Sequence, residues 1–79
     1  MNLILANNAR PILHAWNAKG MGIVLAEWHN EYVTWRMEVH PETHVVHCEH
    51  GHYFRKVDPD GFKNALKNFR ERVAEFFAD

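Results

Sequence analysis

Residues 32–40 read YVTWRMEVH, and this stretch decides the fold. Polar side chains occupy most of the alternate positions. The positions between them carry the apolar side chains of Val33, Trp35, Met37 and Val39. Successive side chains of a strand point to opposite faces of the sheet, so a period of two indicates a strand with one buried face. The stretch therefore predicts a strand at the centre of a sheet.

Further strands are predicted on both sides of this one. Residues 22–28 form a β-rich run before it, and residues 45–57 return after a turn at residues 41–44. Residues 12–16 look like another strand, while residues 3–5 either pair at an edge or lie across the sheet. The result is an antiparallel meander of three to four strands.

The C-terminal residues have a helical pattern instead. Asp58 is placed to cap the helix, and Pro59 suits its first position. Apolar side chains then recur at three- and four-residue spacing: Phe62, Ala65, Leu66, Phe69, Val73, Phe76 and Phe77. This spacing gives one apolar stripe, and we expect the helix to pack on one face of the sheet.

Together these elements predict an α+β domain of a single unit over residues 1–79. Its parts are an N-terminal segment (1–20), a β-meander (21–57) and an amphipathic helix (58–78). At 9.3 kDa, the chain is near the size at which one hydrophobic core is only just sufficient.

Charge matching predicts the register of the central strands. A two-residue loop at residues 30–31 and a four-residue loop at residues 41–44 place Arg36 opposite Glu49 and Met37 opposite Cys48. The helix is then expected to cover the Met37 face, and Gly51 to mark a bulge.

The opposite face is predicted to remain open and to bind a partner. It combines aromatic, aliphatic and arginine side chains, a composition found at protein interfaces. The expected contacts are Tyr32, Arg36, Glu38, Glu49, Tyr53 and Arg55. Two alternatives stay open, namely that the N-terminal segment folds over this face or that a second copy of the chain covers it.

Residues 40–52 hold five of the seven histidines and the single cysteine. On a regular strand Cys48, His50 and His52 share one face, and a bend with help from His29 would bring four zinc ligands together. The competing interpretation is that Cys48 is a small core residue and the histidines are incidental. We expect no cofactor, with a zinc-binding module as the alternative function.

Composition restricts the remaining function classes. The net charge of −1 lacks the positive field of a typical nucleic-acid binder, so weak nucleic-acid binding ranks third. No phosphate loop or catalytic triad pattern is present, and we expect no enzymatic activity. The lone cysteine, the short apolar runs and the N-terminus without signal-peptide character predict a cytoplasmic protein without membrane contact.

Three segments resemble small uncharacterised proteins of phages and prophages. They are YVTWR at residues 32–36, GHYF at residues 51–54, and the acidic-capped helix with Ala65, Leu66, Phe69 and Arg72. The resemblance covers roughly residues 30–73 and implies a mobile-element origin. It also implies a function of binding and blocking a host protein or ribonucleoprotein complex, as anti-CRISPR inhibitors do.

Overall fold

The computed structural model describes residues 3–78 and shows a four-stranded antiparallel sheet with one helix packed on it. The strands are β1 (Arg10–Trp16), β2 (Met21–Trp28), β3 (Glu31–Val39) and β4 (Val46–Arg55), and the helix is α1 (Gly61–Phe76). Spatial order follows chain order, β1-β2-β3-β4. The predicted α+β class, the meander and the C-terminal helix are therefore confirmed.

Both faces of the sheet are covered by the chain itself. We call the face beneath α1 the helix face; its buried core includes Ile23 and Leu25 of β2, packed with Ala65 and Phe69 of α1. We call the other face the N-terminal face, because Leu5 and Ala9 are buried there against the sheet. The strand residues that are buried in the same cluster as Leu5 and Ala9 are Val24, Ala26, Val33, Trp35, Met37 and Val46.

The expectation that the helix covers the Met37 face is wrong. Met37 is fully buried under the N-terminal segment, and α1 lies on the face that was expected to stay open. Leu5 forms a parallel bridge with Val46 at the start of β4, and the Ala6 amide donates to the Val46 carbonyl at 2.9 Å. Both faces of β2 are apolar. The alternation alone therefore does not predict which face packs against α1 and which packs against the N-terminal segment.

The predicted β3–β4 register is confirmed, since Arg36 pairs with Glu49 and Met37 with Cys48. The β2–β3 register is wrong by two residues, because Trp28 pairs with Glu31 and the loop starts at His29 rather than Asn30. His29 adopts a φ of 56°, a left-handed conformation that tight turns require. A shift of two residues keeps every side chain on its predicted face.

The helix begins later than predicted. Asp60 precedes its first residue and makes no side-chain capping bond, so the cap assigned to Asp58 is wrong. Gly61 sets the start, because a Cβ there would lie 2.3 Å from the Arg55 carbonyl oxygen. Only glycine allows the helix start to approach the end of β4 this closely.

Polar groups fix the helix to the sheet as well as apolar ones. The fully buried Thr34 donates its hydroxyl hydrogen to Asn68 Oδ1 at 2.5 Å. Arg72 Nη1 donates to the Thr34 carbonyl at 2.9 Å and to its Oγ1 at 3.1 Å, and His52 Nδ1 lies 3.1 Å from Asn68 Oδ1. These bonds satisfy a buried hydroxyl that would otherwise destabilise the core.

An ion cluster joins the first two strands to the turn after β4. Glu27 accepts a hydrogen bond from Arg10 Nε at 2.6 Å and another from Lys56 Nζ at 2.5 Å. Lys56 and then Arg10 hold the pKa of Glu27 below its usual value, because their hydrogen bonds and charges favour the carboxylate.

Candidate protein-binding surface

A row of aromatic rings lies on the N-terminal face at the end of the sheet that carries the β2–β3 hairpin. Trp28 contacts Trp35 edge-on with centroids 5.6 Å apart, and Tyr53 meets Trp35 at 6.4 Å and 88°. His29 extends the row, with its ring 4.5 Å from that of Trp28. We call Trp28, His29, Trp35 and Tyr53 the aromatic surface.

A bulge in β4 places Tyr53 in this row. The β3–β4 register shifts between Thr34 and Arg36, so that the His50–Gly51 stretch lies opposite Trp35, and His50 has a φ of 54°. An inserted residue of this kind reverses the phase of alternation along the strand. Tyr53 consequently points to the same face as Trp35, as the expected bulge near Gly51 suggested.

Gly51 is required directly beneath the tyrosine. A Cβ at this position would lie 2.7 Å from Tyr53 Oη and 2.8 Å from Trp35 Nε1. Both distances are too short for ordinary van der Waals contact, so any side chain would displace the two rings. The glycine and the buried Trp35 therefore hold the Tyr53 ring in one place.

The surface combines a buried base with exposed edges. Trp35 is only 4% exposed, whereas Tyr53 is 51% exposed, and His29 is also on the outside. Arg55, two residues beyond Tyr53 on the same strand, is exposed and faces the same way by strand alternation. Aromatic rings beside an arginine are the side chains that most often carry the binding energy of protein interfaces.

The six predicted contacts do not share one surface. By their pairing, four of them belong to the helix face: Tyr32, Arg36, Glu38 and Glu49. Tyr53 and Arg55 lie on the other side of the sheet, with Tyr53 against Trp35. The expectation of one open face with all six side chains is therefore corrected, and the bulge is the reason for the separation.

Two of the four helix-face residues are engaged with α1 or its neighbourhood. The Tyr32 ring packs edge-on against Phe62 at 5.2 Å, and Lys56 Nζ lies 5.4 Å from its centroid. The guanidinium carbon of Arg36 lies 5.7 Å from the centroid of Phe76. Tyr32 and Arg36 are both half-buried as a result, while Glu38 and Glu49 stay exposed.

The predicted zinc ligands are not brought together. Cys48 packs against the core of the N-terminal face, whereas His52 approaches Asn68 of the helix on the other face. Because the bulge lies between them, Cys48, His50 and His52 do not share a face as predicted. Within residues 3–78 no group of three or more histidine, cysteine or acidic residues is arranged to hold a metal ion.

Burial also makes Cys48 a poor metal ligand and nucleophile. It raises the pKa of the thiol to about 11, since the thiolate is disfavoured away from water. His29 lies in the hairpin between β2 and β3 and belongs to the aromatic surface instead.

Trp28 and Trp35 are functional candidates that the sequence did not identify. Their contact depends on the β2–β3 register, which was predicted two residues away from its true position. The signal that was available is Gly51, two residues before Tyr53, since a glycine within a strand marks a bulge or a close approach.

Comparison of the chain with protein-family models, curated proteins and solved structures gives no match. In the part of the chain from residue 3 to residue 78, no helix has both the length and the apolar character needed to cross a membrane.

Proposed function

We propose that this chain is a non-catalytic protein-binding domain whose aromatic surface contacts the partner. One observation carries the proposal: Tyr53 is half exposed although it is held in place by Trp35 and Gly51. A large ring that is fixed before binding loses little conformational freedom when a partner covers it. Such a ring can therefore contribute most of its buried area to affinity.

The neighbouring side chains favour a protein over other ligands. Trp28 and His29 extend the apolar area, and Arg55 adds a guanidinium at its border. An apolar centre with a polar, charged rim is the usual anatomy of a protein interface. Trp35 meets both Trp28 and Tyr53 edge-on, so these two pairs do not present the parallel aromatic faces on which successive bases stack.

The sequence resemblance supports a more specific form of this proposal. In that form the domain originates from a phage or another mobile element and acts in the host cytoplasm. It binds a host protein or ribonucleoprotein complex and inhibits it. The four residues of GHYF include Gly51 and Tyr53, so the resembling segment contains the centre of the aromatic surface.

Affinity capture from a bacterial lysate tests the proposal, with nuclease and chelator treatments run in parallel. Three proteins are compared: the wild type, Tyr53→Ala and Val57→Ala. Val57 is a matched control because it is 70% exposed and lies beyond β4, outside the aromatic surface. Mass spectrometry identifies the captured protein, and titration calorimetry then measures its affinity for each variant.

We expect the wild type and Val57→Ala to capture the same protein in stoichiometric amount after both treatments. Tyr53→Ala should weaken binding by about 30-fold, which corresponds to a hot-spot contribution of about 2 kcal/mol. Equal affinity of Tyr53→Ala and wild type would show that the aromatic surface is not the contact site. Capture lost with nuclease or with chelator would instead indicate nucleic-acid or metal binding, and sedimentation of the isolated protein shows whether the partner is a second copy.

A further inference from the structure

We infer that a cleft between β3 and α1 binds a single oxyanion, a carboxylate or a phosphate group. The cleft has a volume of about 220 Å³ and is lined by Ile23, Arg36, Arg72, Glu75 and Phe76. It opens on the helix face, on the other side of the sheet from the aromatic surface. The inference therefore stands independently of the proposed function.

Both guanidinium groups are held in place by their surroundings. Arg72 Nη1 is fixed by its two hydrogen bonds to Thr34, and its other nitrogens remain outside these bonds. The Arg36 guanidinium lies over the ring of Phe76, which is one helical turn beyond Arg72 on the same face of α1. The two arginines thus reach the cleft from opposite walls, one from β3 and one from α1.

No ion pair among the described residues compensates the charges of Arg36 and Arg72. Within residues 3–78, the ion pairs with a nitrogen-to-oxygen distance of at most 4.0 Å have Arg10, Lys56 and His50 as their basic partners. Neither Arg36 nor Arg72 takes part in one. Burial lowers the pKa of Arg72 below its usual value. The negative charge of Glu75 raises this pKa, and the positive charge of Arg36 lowers it further. Two half-buried cations beside each other are therefore kept at a cost in electrostatic energy.

An oxyanion in the cleft would remove that cost. Guanidinium groups present planar pairs of N–H donors that match the geometry of carboxylate and phosphate oxygens. One anion between the two arginines would accept hydrogen bonds from both and offset their mutual repulsion. Ile23 and Phe76 add apolar side chains to the lining beside the two arginines, and hydrogen bonds are stronger next to such low-dielectric surroundings than in bulk water.

Three carboxylates are on the same side of the sheet as the two arginines. Glu75 lines the cleft, Glu49 pairs with Arg36 across the strands, and Glu38 follows Arg36 by two residues on the same face. None of them comes within 4.0 Å of either guanidinium. Because Glu75 lines the cleft, its carboxylate would compete with the ligand for the two guanidinium groups, and its negative charge should weaken anion binding.

Nuclear magnetic resonance titration of the whole protein tests the inference, with inorganic phosphate in one series and acetate in the other at constant ionic strength. The wild type is compared with Arg36→Gln, Glu75→Gln and Arg70→Gln. Arg70→Gln is the matched control, because Arg70 is an exposed arginine of the same helix outside this cleft. Arg72 is left unchanged because its bonds to Thr34 help to hold the helix on the sheet.

We expect saturable shifts of the amides of Ile23, Arg36 and Phe76 with millimolar affinity. Arg36→Gln should weaken binding at least tenfold, Arg70→Gln should leave it unchanged, and Glu75→Gln should tighten it. Binding of phosphate alone assigns the ligand to a phosphate group, binding of acetate alone assigns it to a carboxylate, and binding of both supports a site that accepts either oxyanion. Shifts that do not saturate in the wild type, or equal affinity in Arg36→Gln, would overturn the inference.

Discussion

Thr34 and Asn68 are joined by a 2.5 Å hydrogen bond across the interface between the sheet and the helix, 34 residues apart in sequence. Thr34 lies in the centre of β3 and is fully buried, so its hydroxyl has no access to water. Asn68 lies in the middle of α1 and accepts this bond at its side-chain carbonyl. Together with the bonds from Arg72 to Thr34, the pair adds directional contacts to a largely apolar interface and thereby fixes the position of the helix along the strand.

Replacing Asn68 should destabilise the protein. Asn68→Ala removes the acceptor of the Thr34 hydroxyl, and a buried hydroxyl with one partner fewer costs about 1–2 kcal/mol. Urea unfolding at neutral pH measures the free energy of unfolding. Asn64→Ala is the matched control, because Asn64 is an exposed asparagine one turn earlier in the same helix.

Both substitutions bring the same gain in helix propensity, at most about 0.7 kcal/mol, so their difference reports the contacts of Asn68 Oδ1 with Thr34 and His52. We expect Asn64→Ala to be neutral or slightly stabilising. Equal unfolding free energies for the two variants would mean that the contacts of Asn68 with Thr34 and His52 contribute nothing to stability.

A side chain at Gly51 should displace Tyr53 and disturb Trp35. The added Cβ of Gly51→Ala would lie within 2.8 Å of atoms of both rings, and overpacking of this kind costs about 1–3 kcal/mol. Moving Tyr53 away from the clash breaks its contact with Trp35, and moving Trp35 requires the buried core around it to repack. Tryptophan fluorescence and urea unfolding report the change at Trp35 and in stability.

A double-mutant cycle separates the two contacts. In the background of Tyr53→Ala the clash with the tyrosine is absent, so Gly51→Ala should cost less than it does in the wild type. An unchanged cost in that background would show that Tyr53 does not press on Gly51.

The sequence predicted the strands well because period-two alternation depends on neighbouring residues alone. The pairing of Arg36 with Glu49 was also predictable, since an assumed four-residue loop at residues 41–44 places two opposite charges side by side. The choice of face for α1 was not predictable. Ile23 and Leu25 are as apolar as Val24 and Ala26, and the outcome depends on where Leu5 packs, a contact with Val46 some forty residues away in sequence.

The same limit applies to the candidate site. Gly51 indicated a bulge. The effect of the bulge on Tyr53 depends on which residue of β4 is inserted and on which residue of β3 lies opposite it. The prediction that Cys48 and His52 share a face failed for this reason, because one extra residue between them reverses the alternation. The buried bonds of Arg72 to Thr34 leave no sequence signal, since they join residues 38 positions apart.

The ion cluster around Glu27 should make stability depend on acid. The pKa of Glu27 is lower in the folded state than in the unfolded chain. Its contribution to stability is therefore fully present above the unfolded-state pKa and is lost as the pH falls through the folded-state pKa. The wild type should therefore lose more stability than Glu27→Gln between about pH 5 and pH 3. Urea unfolding across this range measures the difference.

Glu42→Gln is the control for this series, because Glu42 lies in the exposed turn between β3 and β4 and forms no ion pair within residues 3–78. Its acid dependence should match that of the wild type. Concentrated sodium chloride should reduce the effect of Glu27, since exposed charges are screened by salt. Parallel curves for the wild type and Glu27→Gln would contradict the assignment.

The thiol of Cys48 should react slowly in the folded protein. With a pKa of about 11, its thiolate fraction at pH 8 is smaller by about two orders of magnitude than that of an ordinary cysteine. Alkylation by iodoacetamide, followed by mass spectrometry, measures the rate.

The control is a variant that combines Cys48→Ala with His47→Cys, which moves the thiol by one residue to the exposed side of the same strand. The control should react about a hundred times faster, and denaturant should bring both proteins to the same rate. Equal rates under folding conditions would show that Cys48 is not protected by the N-terminal segment, and the packing of this face would then have to be reconsidered.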